Sequence, residues 1–181
     1  MRKILTITTL AVLAFTFSVH AEEQTGQATK AADDPRLEFL KSLAGTWVGE
    51  ATEGEMPAGV FEFRVTAGGS AVEEREMVGT PMEMLTVYHM DGKELVATHY
   101  CMLGNQPHVT AAKRVVDNTL TFACNGKPGN TRSHDDKHIH GWTIKLDGEN
   151  TLVYSGELVE EGELTEAPRF LLTRQQETAS R

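Results

Sequence analysis

The feature that most constrains this chain is a train of short segments cut apart by turn dipeptides. Gly68-Gly69, Asp91-Gly92, Asp117-Asn118 and Asp147-Gly148 all tolerate the positive φ that a tight hairpin demands. Between them the apolar residues recur with period two. Phe61, Phe63 and Val65 oppose Glu62, Arg64 and Thr66, and Trp142, Ile144 and Leu146 oppose Thr143 and Lys145. Successive side chains of a strand point to opposite faces, so such segments have one apolar and one polar face. Strands are predicted over 45–52, 59–66, 70–78, 82–90, 93–101, 108–116, 119–124, 137–146, 151–158 and 169–175. The short connections make this an all-β antiparallel meander. Closing it into an up-and-down barrel of about 8–10 strands removes the exposed edges. An open sandwich is the alternative.

One helix precedes the strands. Asp34 suits an N-cap and Pro35 the first helical position. Leu37, Phe39, Leu40 and Leu43 follow near one face, and Gly45 stops the segment. Ahead of it, Met1–Ala21 has the form of an export signal: Arg2 and Lys3, an apolar run to Phe17, then Val19-His20-Ala21 for cleavage. The run is too short to span a bilayer comfortably. The expected organisation is a signal peptide at 1–21, a flexible leader at 22–34, a barrel domain at 35–175 and a tail at 176–181. The expected location is the periplasm or the exterior, with no stable membrane span after cleavage.

A net charge of −9 disfavours phosphate-bearing partners, so nucleic acid is not expected. Cys101 and Cys124 are the only cysteines, and export makes a disulfide between them the expectation. By alternation, His138 and His140 share a face with Trp142, Ile144 and Leu146, and His99 shares one with Leu95, Ala97 and Cys101. A His-x-His on one strand plus a third His from another suits Zn or Cu, so His99, His138 and His140 form the candidate metal set. His134, Asp135 and Asp136 lie just before and can add ligands or orient rings. Met82 and Met84 share a strand face, with core packing the simpler reading. No buried carboxylate pair is identifiable in Glu73-Glu74-Arg75-Glu76 or in the run from Glu157 to Glu166. Phosphate-loop, nucleophile-elbow and zinc-protease motifs are missing, so no catalytic residue is assigned.

Leu43-Ala44-Gly45-Thr46-Trp47, directly after a short helix, resembles the Gly-x-Trp entry of the calycin superfamily, and Arg174 on the last strand matches the Arg that packs over that Trp. Thr98-His99-Tyr100-Cys101, Asn105-Gln106-Pro107, Asn130, His138-Ile139-His140 and Asp147 resemble a group of uncharacterised secreted bacterial lipocalin-like proteins. The resemblance implies structural roles for Trp47 and Arg174. It also implies an interior that holds a small apolar molecule and, by analogy with nitrobindin-like barrels, a place for haem near His138 and His140.

Three functional readings follow. The first is a lipocalin-like binding barrel whose ligand meets Phe61, Phe63, Phe122 and Trp142, oriented by His99, Tyr100, His138 and His140, with Leu85, Val87, Leu120 and Ile144 completing the lining. The second is a structural or interaction protein of the envelope with a filled barrel. The third is a His-based metal-binding protein.

Overall fold

The computed structural model describes residues 34–52, 56–126 and 128–176. The segment expected to be an export signal, most of the expected leader and the extreme C-terminus lie outside the described residues.

The chain begins with helix α1, Pro35–Ser42. The Asp34 carboxylate accepts from the Arg36 backbone N–H at 2.9 Å and pairs with its guanidinium. Arg36 is itself buried and donates to the Lys93 carbonyl at 2.8 Å, which ties the helix to the turn between two strands. Leu37, Leu40 and Leu43 go fully into the core, each worth about 1.5–3 kcal/mol of burial. The helix packs on strands β2 (Gly59–Thr66), β3 (Ala71–Glu76) and β4 (Met84–Asp91) and covers one end of the sheet.

The other strands are β1 (Gly45–Ala51), β5 (Glu94–Tyr100), β6 (His108–Ala111), β7 (Thr119–Cys124), β8 (His138–Asp147), β9 (Thr151–Glu160), β10 (Glu163–Glu166) and β11 (Phe170–Arg174). Each pairs antiparallel with its sequence neighbour from β1 to β9, and β11 lies between β9 and β1. The sheet therefore closes. β10 and β11 run along the same edge of β9, with Glu166 opposite Glu157 and Phe170 opposite Tyr154. They act as one strand broken at Ala167-Pro168-Arg169, which gives a barrel of ten strands. Glu163–Glu166 is not among the strands expected from sequence. All four residues are exposed, so no apolar alternation marks the strand.

The seam between first and last strands is close. A Cβ at Gly49 would sit 1.9 Å from the Leu171 carbonyl oxygen, so only glycine allows that approach. Trp47 is fully buried, and its indole N–H donates to the Leu43 carbonyl at 2.8 Å. The Arg174 guanidinium lies 4.1 Å from the Trp47 ring centre and donates to the Ser42 and Ala44 carbonyls. One side chain thus caps the helix C-terminus and covers the tryptophan.

Phase differs from expectation on β4. Thr86 and Tyr88 are buried, whereas Leu85 and Val87 lie on the outer face and are only half-buried. Tyr88 opposes Val72 and Thr86 opposes Glu74, so register with β3 fixes the inward set. Tyr100 opposes Leu85 and is 49% exposed, which places it outside as well.

Candidate functional site

Two polar assemblies stand out. The first is at the end of the barrel where β7 stops and β8 begins. One ligand atom each from Cys124, His134, His138 and His140 lies within 4.8 Å of the others. Cys124 ends β7, and His138 opens β8. The pairing of β8 with β9 slips between Ile139 and Gly141, leaving His140 as the extra residue of a bulge. A bulge re-aims side chains. The two histidines therefore do not simply continue the face of Trp142 and Ile144, as strict alternation predicted, and Ile139 packs against the core.

The 128–137 segment supplies His134, and hydrogen bonds hold it in place. Gln106 and Gly129 exchange backbone hydrogen bonds at 2.8 and 2.9 Å, Asn130 donates to the Gly104 carbonyl at 2.6 Å, and Asn105 donates to the Lys137 carbonyl at 2.7 Å. The Gly162 N–H donates to the Asp135 carbonyl at 3.1 Å, and Lys137 pairs with Glu160, which anchors the loop to the β9–β10 hairpin. The Asn105-Gln106 and Asn130 motifs thereby gain a physical role: they position the loop that carries the third imidazole.

Ring contacts of 5.0, 5.2 and 5.6 Å join His134, His138 and His140 pairwise. His138 is fully buried, and its Nδ1 lies 2.7 Å from the Asp136 carbonyl oxygen. A carbonyl only accepts, so Nδ1 carries the proton and Nε2 offers its lone pair to the cluster. That Nε2 is 3.4 Å from His140 Nδ1. Two nitrogens about 2.05 Å from a tetrahedral ion stand about 3.3 Å apart, so this spacing already matches. Burial and then the neighbouring imidazoles push the His140 pKa down. Burial pushes the Cys124 thiol up, while backbone hydrogen bonds oppose it, and the thiol donates to the Gly126 carbonyl at 3.0 Å.

The second assembly lies inside the barrel and comes from β3, β4, β5, β8 and β9. Glu74 and Glu76, two apart on β3, both point inward and are buried. The Tyr88 hydroxyl donates a short hydrogen bond to Glu74 Oε2 and accepts from the Trp142 indole N–H at 3.0 Å. His99 Nδ1 lies 2.8 Å from Thr86 Oγ1 and 3.5 Å from Glu76 Oε1. Burial, followed by the charge of Glu76, holds the Glu74 carboxyl well above the usual range, against the pull of Tyr88. Burial raises Glu76 to about 7, against the hydroxyls of Thr86 and Tyr154, and lowers His99 to about 4. Glu74 Oε1, Glu76 Oε1 and His99 Nε2 are buried without a hydrogen-bond partner.

Of the residues expected to contact a ligand, Phe61, Phe63, Phe122, Trp142 and His99 face inward and are buried. They pack largely on one another. Ring centres of Phe61 and Phe170 are 5.2 Å apart, Tyr88 and Phe122 5.1 Å, and Phe122 and Trp142 5.3 Å. His99 stacks near Trp142 at 5.7 Å and is not among the residues gathered with His138 and His140. A cleft of about 600 Å³ does exist, but it lies largely over the outer face of β7, β8 and β9, between residues such as Thr121, Thr143 and Ser155 and the Pro168-Arg169 segment.

The expected disulfide is not formed. Cys101 and Cys124 are free thiols, and Cys101 donates to Met84 Sδ at 3.9 Å. Register explains this. Cys124 opposes Val109, and Val109 opposes Ala97, so Cys101 lies four residues further along and two strands across. That is a separation of about 16 Å, far beyond disulfide reach. No protein-family model matches the chain, and no curated protein matches it.

Proposed function

We propose that this protein binds a transition-metal ion at the mouth of its barrel. Cys124, His134, His138 and His140 would be the ligands, and Zn²⁺ the ion that suits them best. The observation that carries the reading is the convergence of one thiol and three imidazoles within 4.8 Å, with the His138 tautomer already fixed by the Asp136 carbonyl. One soft and three borderline donors in a four-coordinate arrangement match Zn²⁺, with Cu as the competitor. All four positions come from the protein, which is the pattern of an ion that is held rather than one that turns over substrate. Relative to the sequence expectation, Cys124 and His134 join the set and His99 leaves it.

The calycin relationship and export belong to the same proposal. The cover of Trp47 by Arg174 supports the first, and the Met1–Ala21 pattern supports the second. The reading as a carrier of apolar molecules has less behind it, because the expected lining residues fill the interior with mutual ring contacts.

The test is competition for Zn²⁺ against a chromophoric chelator, using the wild type and the variants Cys124→Ser, His138→Ala and His99→Gln. The expected result is one ion per chain, an affinity loss of roughly 10²-fold in the first two variants, and no change in the third. A wild type that yields its zinc to a weak chelator, or equal affinity in all four proteins, rejects the site.

A further inference from the structure

We propose that the outer cleft between β7, β8, β9 and the Ala167-Pro168-Arg169 segment is a second site, separate from the Cys/His group, for a short free peptide held by its two charged ends. The cleft has a volume of about 600 Å³, within the range of small-molecule sites. Its floor is a row of hydroxyls. Thr121, Thr143 and Ser155 stand opposite one another on three adjacent strands. Their neighbours Phe122, Trp142, Ile144 and Tyr154 are buried, so period two turns the hydroxyls outward. One wall is the break between β10 and β11. Ala167 donates its backbone N–H to the Gly156 carbonyl at 2.9 Å, and a Cβ at Gly156 would stand 3.1 Å from the Ala167 Cβ. That close approach holds the segment against β9 and leaves Pro168 and Arg169 to bound the cleft.

Charge divides along this cleft. Lys145 opposes Val153 on β9, and Arg169 comes one residue before Phe170, which opposes Tyr154. Glu157 lies further along β9, directly opposite Glu166. The cations therefore take one end and the carboxylates the other. Elsewhere on this acidic chain, cations such as Arg64, Arg75, Lys113 and Lys137 each hold a carboxylate. Among the described residues, Lys145, Arg169, Glu157 and Glu166 have no ion-pair partner. Like charges directly opposite on paired strands are also unfavourable, so Glu157 and Glu166 gain from a cation between them. A ligand with one anionic and one cationic end answers both sets.

Spacing narrows the class to a peptide. The levels of Lys145 and Glu157 are four residues apart on β9, about 13 Å, and those of Arg169 and Glu157 two residues, about 7 Å. An extended peptide spans at most about 3.3–3.6 Å per residue, so two to four residues join the ends. The hydroxyl row between them both donates and accepts, which suits the N–H and C=O groups of a peptide backbone. The two glutamates repel a polyanion.

The test is an NMR titration of the full chain in chelator, at constant ionic strength and below the α-amino pKa of about 7.7–8.0. The probes are triglycine, N-acetyl-triglycine, triglycine amide and glycine. Each blocked peptide lacks one charged end, and glycine carries both charges too close together. The expected result is a saturable shift of the Thr121, Thr143 and Ser155 amides with triglycine, and affinity at least tenfold lower for the other three. Two double variants at exposed positions assign the ends. Lys145→Gln with Arg169→Gln should weaken triglycine at least tenfold and bring it level with its amide. Glu157→Gln with Glu166→Gln should do the same and bring it level with the N-acetyl form. The blocked peptides on the wild type decide the matter even if a variant does not fold. Triglycine without a saturable response, equal responses to all four probes, or triglycine affinity retained in both variants overturns the proposal. Shifts centred on His138 and His140 also overturn it, since they place the peptide at the barrel mouth.

Discussion

Replacing Glu76 by Gln separates the electrostatic account of the core from a purely steric one. The folded carboxyl holds its proton to about pH 7, while the unfolded one releases it near 4.5. Between those values the folded state carries more protons than the unfolded state, so stability falls as pH rises. The contribution is full below pH 4.5 and gone above about pH 7. At 1.36 kcal/mol per pH unit this amounts to about 3 kcal/mol. Glutamine keeps the volume and the hydrogen bonds but cannot ionise. The variant should match the wild type at pH 4 and exceed it by about 3 kcal/mol at pH 8. Glu74, relieved of its neighbour's charge, adds in the same direction. His99 works oppositely. Its folded pKa of about 4 lies below the ordinary 6.5, so it contributes stability that appears as pH rises from 4 to 6.5. His99→Gln should therefore lose ground to the wild type over that window, again by about 3 kcal/mol. The assay is urea unfolding from pH 4 to 8 in chelator, followed by tryptophan fluorescence. A flat difference between wild type and Glu76→Gln, or one that grows in the wild type's favour with pH, would mean that the folded Glu76 carboxyl does not retain its proton to about pH 7.

Other outcomes follow from single contacts. Tyr88→Phe strands Glu74 Oε2 and the Trp142 indole N–H, and should cost about 2–5 kcal/mol in urea unfolding. Gly49→Ala drives a Cβ into the Leu171 carbonyl. It should open the β1–β11 seam first, seen as faster amide exchange at Gly49 and Leu171 than elsewhere in the sheet. Arg174→Gln loses the cover over Trp47 and two carbonyl contacts, for about 1–3 kcal/mol, with a shift in Trp47 emission.

Much of the fold is written locally. Period-two alternation and turn dipeptides locate the strands from β1 to β9, and Asp34-Pro35 locates the helix, because each depends on neighbouring residues alone. Inward phase is less local. On β4 both faces offer plausible core residues, and only register with β3 and β5 puts Thr86 and Tyr88 inside. The buried Glu74 and Glu76 follow the same rule: Val72, Glu74 and Glu76 recur at period two, a signal that charge alone argues against. For the mouth of the barrel, His138 and His140 are visible as a motif. The bulge at His140 and the loop contacts that deliver His134 beside Cys124 are tertiary facts with no sequence period. His99, the expected third imidazole, therefore sits apart from the group that gathers at the mouth. Compartment likewise suggested a disulfide, whereas the strand register leaves Cys101 and Cys124 apart as free thiols.

X-ray absorption at the zinc edge on the zinc-loaded, full chain reads the ligand set itself. Four scatterers are expected: one sulfur near 2.3 Å from Cys124 and three imidazole nitrogens at about 2.0–2.1 Å. In Cys124→Ser the sulfur shell should vanish while the imidazole pattern remains. A shell of oxygen and nitrogen alone in the wild type, or one with about six light atoms, would contradict this ligand set.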